Sequence, residues 1–148
     1  MNSPQSVNEL VERGREAAAR GAWREAYDLL VATDSAELSP EDLELIGEAT
    51  SWTGPTEHCI EVRERAYSAY LARGDRRSAA RLALDLVRDH GFARATSVAA
   101  GWYKRAERLL EEEPECCEHG YLARRQGFAA DARGDTSEAR QHLRRALG

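Results

Sequence analysis

The side chains best suited to metal or redox chemistry lie in two short segments of the 148-residue sequence. Cys116, Cys117 and His119 occur in PECCEHG, and His58 precedes Cys59 in EHC. Thiolate and imidazole groups bind zinc, but neither segment has the C-x-x-C or comparable spacing of zinc sites. A metal or redox sensor built on the first segment is therefore kept as an alternative, and the sequence predicts no metal site and no cofactor.

The sequence contains none of the local motifs that mark common enzyme active sites. It has no glycine-rich phosphate-binding loop, no G-x-S-x-G nucleophile elbow and no H-E-x-x-H metalloprotease pair. Carboxylate pairs are frequent, but ordinary charged helices place acids on one face without forming a catalytic pocket. We therefore predict that the chain is not an enzyme.

Composition restricts both the fold and the partners of the chain. Hydrophobic residues make up 42% of the sequence and are mainly alanine and leucine, which favours helices over strands. The net charge of -5 argues against a nucleic-acid partner, and no apolar run reaches the ~18 residues of a membrane span. Because three cysteines form no disulfide framework, we expect a cytoplasmic, all-α protein without nucleic-acid or membrane partners.

Capping residues and hydrophobic periodicity predict a series of helices with short connections. Ser39 precedes Pro40 in a helix-start pattern, Asp75 follows a glycine as another cap, and Ser6 with Glu9 has the capping-box spacing. Because the connections are short, neighbouring helices should pack as antiparallel hairpins. The predicted helices span residues 6–19, 23–33, 40–52, 56–72, 76–90, 93–112, 117–132 and 136–147.

Small residues recur along the chain at intervals of seven and then five residues. The three sets are Gly14, Gly21 and Ala26; Gly47, Gly54 and Cys59; and Gly127, Gly134 and Ala139. The first glycine predicts a close helix–helix contact, the second a sharp turn, and the third residue a small side chain at the contact. The third hairpin lacks this glycine pair, so Gly91 is predicted at its turn, while Ala99 and Ala106 fit its second helix.

This arrangement resembles the tetratricopeptide repeat, whose unit of about 34 residues has a glycine in its first helix, a turn glycine and alanines in its second helix. The aromatic positions and the closing proline of that family are mostly not matched. The resemblance implies a single domain over residues 1–148, an α-solenoid of about four antiparallel hairpins. Its units would span about residues 6–38, 39–74, 75–114 and 115–148.

Four segments are similar to the helical-repeat regions of large actinobacterial transcriptional regulators of the LuxR type. They are ARGAWREAYDLL, RERAYSAYLARGDRRSAARLALDL, GWYKRAERLL and EHGYLARRQG. In such regulators the repeats bind an inducer or a partner protein, and a separate C-terminal helix-turn-helix binds DNA. The resemblance implies a sensing or scaffolding part, and the end at LRRALG, directly after a second helix, favours a piece of a longer protein.

The inner wall of such a solenoid is lined by the first helix of each hairpin, here termed the A helix, and is the predicted binding surface. We expect it to combine aromatic, arginine and carboxylate side chains, because aromatic and arginine anchors dominate interface energetics. The alternative interpretation is a solvated face with some buried aromatics. The predicted groove residues are Arg15, Glu44, Glu48, Trp52, Arg81, Arg88, Tyr121, Arg124 and Phe128.

Two arginines of the predicted groove lie along the same face of one predicted helix. Arg81 and Arg88 are expected opposite the acidic residues Glu41, Glu44 and Glu48. Such a pair could clamp a carboxylate of a ligand. Ion pairs between neighbouring repeat units are the favoured interpretation.

The tryptophans are predicted to differ in role. Trp23 and Trp102 should pack between hairpins, whereas Trp52 should be available to a ligand. Together these observations predict a non-catalytic interaction or scaffolding module, in transcriptional regulation or signalling, that binds a partner peptide or helix in its groove. The alternative is a repeat domain that senses a small-molecule effector. Pairing of copies end to end into a homo-oligomer is a further expectation.

Overall fold

Helices make up the regular structure of the part of the chain that the structure describes. The computed structural model describes residues 4–33, 38–111, 113–114, 118–124 and 144–146, and no strand occurs among them. Residues 118–124 and 144–146 are helical, and the rest of the fourth predicted unit lies outside the described residues. The bounded helices are α1 (Pro4–Ala19), α2 (Trp23–Val31), α3 (Pro40–Thr53), α4 (Thr56–Arg73), α5 (Arg76–Phe92) and α6 (Thr96–Leu110). The all-α prediction is confirmed.

Side-chain caps account for the agreement between the predicted and observed starts of α3 and α5. The Ser39 hydroxyl accepts a hydrogen bond from the Asp42 N–H at 3.2 Å, and the Asp75 carboxylate accepts one from the Ser78 N–H at 3.1 Å. Both predicted caps are therefore confirmed. The capping box at Ser6 is wrong, because α1 begins at Pro4 and Ser6 lies inside the helix.

The connection between α5 and α6 differs from its prediction. The helix α5 continues through Gly91 to Phe92, and α6 begins at Thr96, not at residue 93. The left-handed residue of this turn is Arg94, with φ 59°. Glycine is the usual marker of such a conformation, so an arginine in this role hides the turn from a glycine-based search.

Gly14 and Gly47 lie at helix–helix contacts that leave no room for a side chain. A Cβ atom at Gly14 would lie 2.6 Å from Leu30 of α2, and one at Gly47 would lie 2.9 Å from Arg63 of α4. The first turn is made at Gly21, whose φ of 74° is left-handed. The predicted close contact is therefore confirmed in the first two hairpins, while the set at Gly127 lies outside the described residues.

The small side chain predicted beside each close contact is also present in these two hairpins. Ala26 is fully buried on α2, and Cys59 is 2% exposed on α4. The Cys59 thiol donates to the Gly47 carbonyl at 3.5 Å, which places the two small positions of this hairpin in direct contact. A larger side chain at either position would push the helices apart.

Each helix packs against the next helix along the chain, and α1 also contacts α3. Alanines that are fully buried, such as Ala17, Ala49 and Ala79, fill the core between successive helices and allow close packing. Trp102 lies edge-on to Tyr67 with ring centroids 4.9 Å apart, in agreement with its predicted packing role. Sequential packing of this kind makes an α-solenoid of antiparallel hairpins, with α1, α3 and α5 as A helices.

Candidate functional site

Ion pairs join the successive A helices. The Arg15 guanidinium on α1 donates to both carboxylate oxygens of Asp42 on α3, over distances of 2.8–2.9 Å. The Arg81 guanidinium on α5 donates to both oxygens of Glu44 on α3 at 2.9 Å, and its Nη1 reaches Glu118 at 3.4 Å. Three predicted groove residues, Arg15, Glu44 and Arg81, therefore link neighbouring repeat units.

The pairing of Glu44 leaves it little capacity to bind a ligand. Besides both bonds from Arg81, Glu44 accepts a hydrogen bond from the Tyr70 hydroxyl at 2.8 Å. The Tyr70 side chain is 2% exposed, and its burial and the nearby carboxylate raise its pKa above the usual range. Of the two interpretations for the arginine pair, the interunit ion pair is thus the one observed at Arg81.

Three other predicted residues, Glu48, Trp52 and Arg88, line one cleft with a volume of about 330 Å³. The cleft lies where the C-terminal ends of α3 and α5 meet the first turn of α4, and we call it the α3–α5 cleft. Its position follows from the antiparallel order of the three helices, which brings these ends to the same edge of the solenoid. Its lining residues are Glu48, Thr50, Ser51, Trp52, Gly54, Thr56, Cys59, Arg88, Asp89 and Phe92.

A buried ion pair lies beneath the α3–α5 cleft. Arg63 of α4 is 1% exposed, and its Nη1 donates to the two carboxylate oxygens of Asp89 on α5 at 2.8 and 2.6 Å. The Nη2 of Arg63 also reaches Glu48 on α3 at 3.4 Å. One buried guanidinium therefore joins three helices, and removal of Asp89 would leave its charge with only the longer contact to Glu48.

Cys59 is positioned for packing and is unsuited to act as a nucleophile. Burial is the main cause that raises the pKa of the Cys59 thiol to about 11. The thiol is therefore neutral near pH 7, and a neutral thiol reacts poorly. Its Sγ lies 3.8 Å from Asp89, so it belongs to the floor of the α3–α5 cleft.

Arg88 is the cation of the α3–α5 cleft that lacks a close carboxylate partner among the described residues. Its nearest acidic oxygens belong to Asp85 at 3.8 Å and Asp89 at 3.9 Å, both on its own helix and beyond hydrogen-bond distance. The Arg88 side chain is 40% exposed, so its donors are accessible from the cleft. This guanidinium can donate two parallel hydrogen bonds to an incoming carboxylate.

Two aromatic side chains are exposed at the rim of the α3–α5 cleft. Trp52 is 65% exposed, stacks on Trp23 with ring centroids 6.4 Å apart, and donates from Nε1 to Glu48 at 3.2 Å. Phe92 is 78% exposed. The sequence reasoning did not select Phe92, although it follows Arg88 by the same four positions that separate Trp52 from Glu48.

Of the remaining predicted groove residues, the two that the structure describes do not line this cleft. Tyr121 and Arg124 are exposed and lie on the helical segment 118–124. Phe128 lies outside the described residues. Their role in binding therefore stays a prediction.

The cysteine segment considered for metal binding is described only at its end. Cys116 and Cys117 lie outside the described residues, and the His119 Nε2 lies 2.9 Å from the Leu110 carbonyl oxygen. Within the part of the chain that the structure describes, no group of three or more histidine, cysteine or acidic side chains could hold a metal ion. None of the described helices is long and apolar enough to cross a membrane.

Comparison with known proteins supports the architecture. No protein-family model and no curated protein matches the chain. A crystal structure of MamA matches with a TM-score of 0.70 and 18% sequence identity, over 98% of this chain and 78% of that one. A crystal structure of a Podosopora anserina putative kinesin light chain with nearly identical TPR-like repeats matches with a TM-score of 0.62 and 16% identity, over 99% of this chain and 76% of that one. At these identities the matches establish the fold, which is that of a tetratricopeptide-like α-solenoid.

Proposed function

We propose that this chain is a non-catalytic interaction module and that a peptide segment of a partner protein binds in the α3–α5 cleft. The observation that carries the proposal is the exposure of Trp52 and Phe92 at the same cleft as Arg88. Aromatic and arginine side chains are the residue types that contribute most to binding at interfaces. A large exposed aromatic gains free energy when a partner covers it, at about 25 cal/mol per Å² of apolar surface.

The ion pairs between A helices support a preformed site. Arg15 with Asp42, and Arg81 with Glu44, hold successive A helices in place before any partner arrives. A rigid surface loses less conformational entropy on binding than a flexible one. Within the groove predicted from the sequence, we therefore assign the binding role to the α3–α5 cleft and a supporting role to these ion pairs.

The biological setting is proposed from the sequence resemblance to LuxR-type regulators. We propose a role in transcriptional regulation or signalling in the cytoplasm, in which the repeats bind a partner protein and contact no nucleic acid themselves. Sensing of a small-molecule effector is the second candidate function. It is favoured by the volume of the α3–α5 cleft, about 330 Å³, which falls within the range of small-ligand pockets.

Affinity capture with matched variants tests the interaction role. The wild-type chain and the Trp52→Ala, Phe92→Ala and Leu71→Ala variants would be used as baits in extract of the source cell. Leu71 is also an exposed apolar residue, 39% exposed, but it lies near the C-terminal end of α4 and away from the cleft. We expect a partner that the Trp52 and Phe92 variants lose and the Leu71 variant retains. A partner retained by all variants would refute the assignment to this cleft.

A thermal-shift screen against cellular metabolites addresses the effector candidate. A metabolite that binds the native state increases the free energy of unfolding by RT ln(1 + [L]/Kd) and so raises the melting temperature. If the α3–α5 cleft is an effector site, the increase should disappear in the Trp52→Ala variant. No increase with any metabolite, together with a captured protein partner, would leave the interaction role.

A further inference from the structure

We infer that the partner segment carries a carboxylate beside a large apolar side chain, with the carboxylate bound by Arg88 and the apolar side chain packed against Trp52 or Phe92. This inference rests on the proposed function and adds the chemistry of the partner. It depends on the distribution of charge in the α3–α5 cleft and on the extent of the apolar rim.

The acidic side chains of the α3–α5 cleft already have cationic or polar partners. Asp89 accepts two short hydrogen bonds from the buried Arg63. Glu48 accepts from Arg63 at 3.4 Å and from the Trp52 indole at 3.2 Å. A basic group of a partner would therefore compete with existing bonds and would also meet the positive charge of Arg88.

Arg88, in contrast to these acidic side chains, has no carboxylate within hydrogen-bond distance among the described residues. Its closest acidic oxygens, on Asp85 and Asp89, are 3.8 and 3.9 Å away, and those of Asp89 are already engaged by Arg63. An entering carboxylate would give the guanidinium two short charge-assisted bonds that it lacks among the residues that the structure describes. The donors of Arg88, and not the net charge of the cleft, are thus what fits an acidic group, because Glu48 and Asp89 also line the cleft.

The apolar rim extends beyond the space that a single small acid would fill. Trp52 on α3 stacks on Trp23 at the start of α2, so the aromatic surface extends over both helices. Phe92 lies on α5, at the other side of the cleft. A chain of several residues can cover both helices, whereas one small carboxylate bound to Arg88 leaves most of this surface in water. The rim therefore favours a peptide as the source of the carboxylate.

Selection from a phage-displayed library of random 12-residue peptides tests the inference with the full chain as target. We expect the enriched peptides to contain Asp or Glu within two positions of Trp, Phe or Leu. The affinity of the best peptide should fall about tenfold in the Arg88→Gln variant, the scale of one lost charge-assisted contact. The control Lys104→Gln removes the same charge from the exposed face of α6 and should change the affinity less than about twofold.

A matched change in the peptide completes the thermodynamic cycle. Replacement of its acid by the amide should weaken binding to the wild-type chain about tenfold and to the Arg88→Gln variant much less, because the pair is already broken. Equal weakening in both would overturn the Arg88–carboxylate contact. Circular dichroism and thermal melting of both variants establish that they are folded.

The outcomes separate the inference from the proposed function. Peptides without an acid that lose affinity on Phe92→Ala would overturn the carboxylate assignment and leave the cleft as a peptide site. Peptides that bind equally well to the Trp52→Ala and Phe92→Ala variants would overturn both. Enrichment of basic peptides would likewise overturn the inferred charge preference.

Discussion

Substitution of Gly14 by alanine should fail to stabilise the fold, although alanine is the better helix former. Gly14 lies inside α1, where alanine would gain about 1 kcal/mol of helix propensity. The new Cβ would, however, lie 2.6 Å from two atoms of Leu30, a side chain with no exposed surface. Overpacking of this kind costs about 1–3 kcal/mol, so the net change ranges from near zero to a loss of about 2 kcal/mol.

The matched control is Gly101→Ala on α6. Gly101 is exposed inside the helix, and a Cβ there meets nothing within 4 Å. The propensity gain of about 1 kcal/mol should therefore appear undiminished. Because the propensity gain is common to both substitutions, the difference between the two variants isolates the overpacking cost of about 1–3 kcal/mol.

Urea unfolding followed by circular dichroism at 222 nm measures both free energies. In a chain of this size each kcal/mol also changes the melting temperature by about 2–4 °C. The cost of Gly14→Ala should shrink in a Leu30→Ala background, since the side chain that it overlaps is then absent. If Gly14→Ala stabilises the chain as much as Gly101→Ala does, the close contact between α1 and α2 is refuted.

Three further predictions concern the polar network. Asp89→Asn should cost up to about 3–5 kcal/mol in urea unfolding, because it removes the close counter-ion of the buried Arg63 and leaves only the longer contact to Glu48. A double-mutant cycle on Glu44→Gln and Arg81→Gln should give a coupling energy of about 1 kcal/mol. For Cys59 the thiol pKa rises from 9.0 to about 11 on folding, so the native state retains a proton that the unfolded chain loses in this range. This contribution to stability is present below pH 9.0 and is lost as the pH rises to about 11. The slope of unfolding free energy against pH should therefore become shallower in Cys59→Ala.

Each of these predictions has a contradicting outcome. An Asp89→Asn variant as stable as the wild type would mean that Arg63 is solvated and not buried. Additive effects at Glu44 and Arg81 would show that the observed hydrogen bonds do not couple α3 to α5. An unchanged alkaline slope in Cys59→Ala would show that the thiol titrates alike in the folded and unfolded chains.

Helix positions could be predicted because local chemistry determines where they begin and end. Ser39 and Asp75 each satisfy backbone N–H groups within three residues of their own position, so their effect is visible in sequence. The contacts at Gly14 and Gly47 were predictable because only glycine fits there and because its spacing repeats. The turn at Arg94 could not be predicted in this way, because an arginine there takes the left-handed conformation that is usually taken by glycine.

The candidate site could be predicted only in part, because it depends on how successive repeats are stacked. From the sequence alone, Arg63 would be expected to be an exposed charge on a helix. In the structure it is buried and forms an ion pair with Asp89 of the next repeat unit. The different roles of the two groove arginines also depend on how the repeats stack, since Arg81 faces Glu44 while Arg88 faces the cleft. Phe92 was missed because the predicted helix ends at residue 90, which placed Phe92 in a connection, whereas α5 continues to Phe92.

Site-specific photo-crosslinking tests the central claim, that a partner binds in the α3–α5 cleft. A benzophenone amino acid, which keeps a large aromatic side chain, would replace Trp52 in one variant and Leu71 in another. The crosslinked peptides would be identified by mass spectrometry from cells that express the chain. We expect crosslinks from position 52 to one partner segment, with an acidic residue beside a large apolar one, and none to that segment from position 71. Crosslinks of the same partner from position 71 and not from position 52 would contradict this claim.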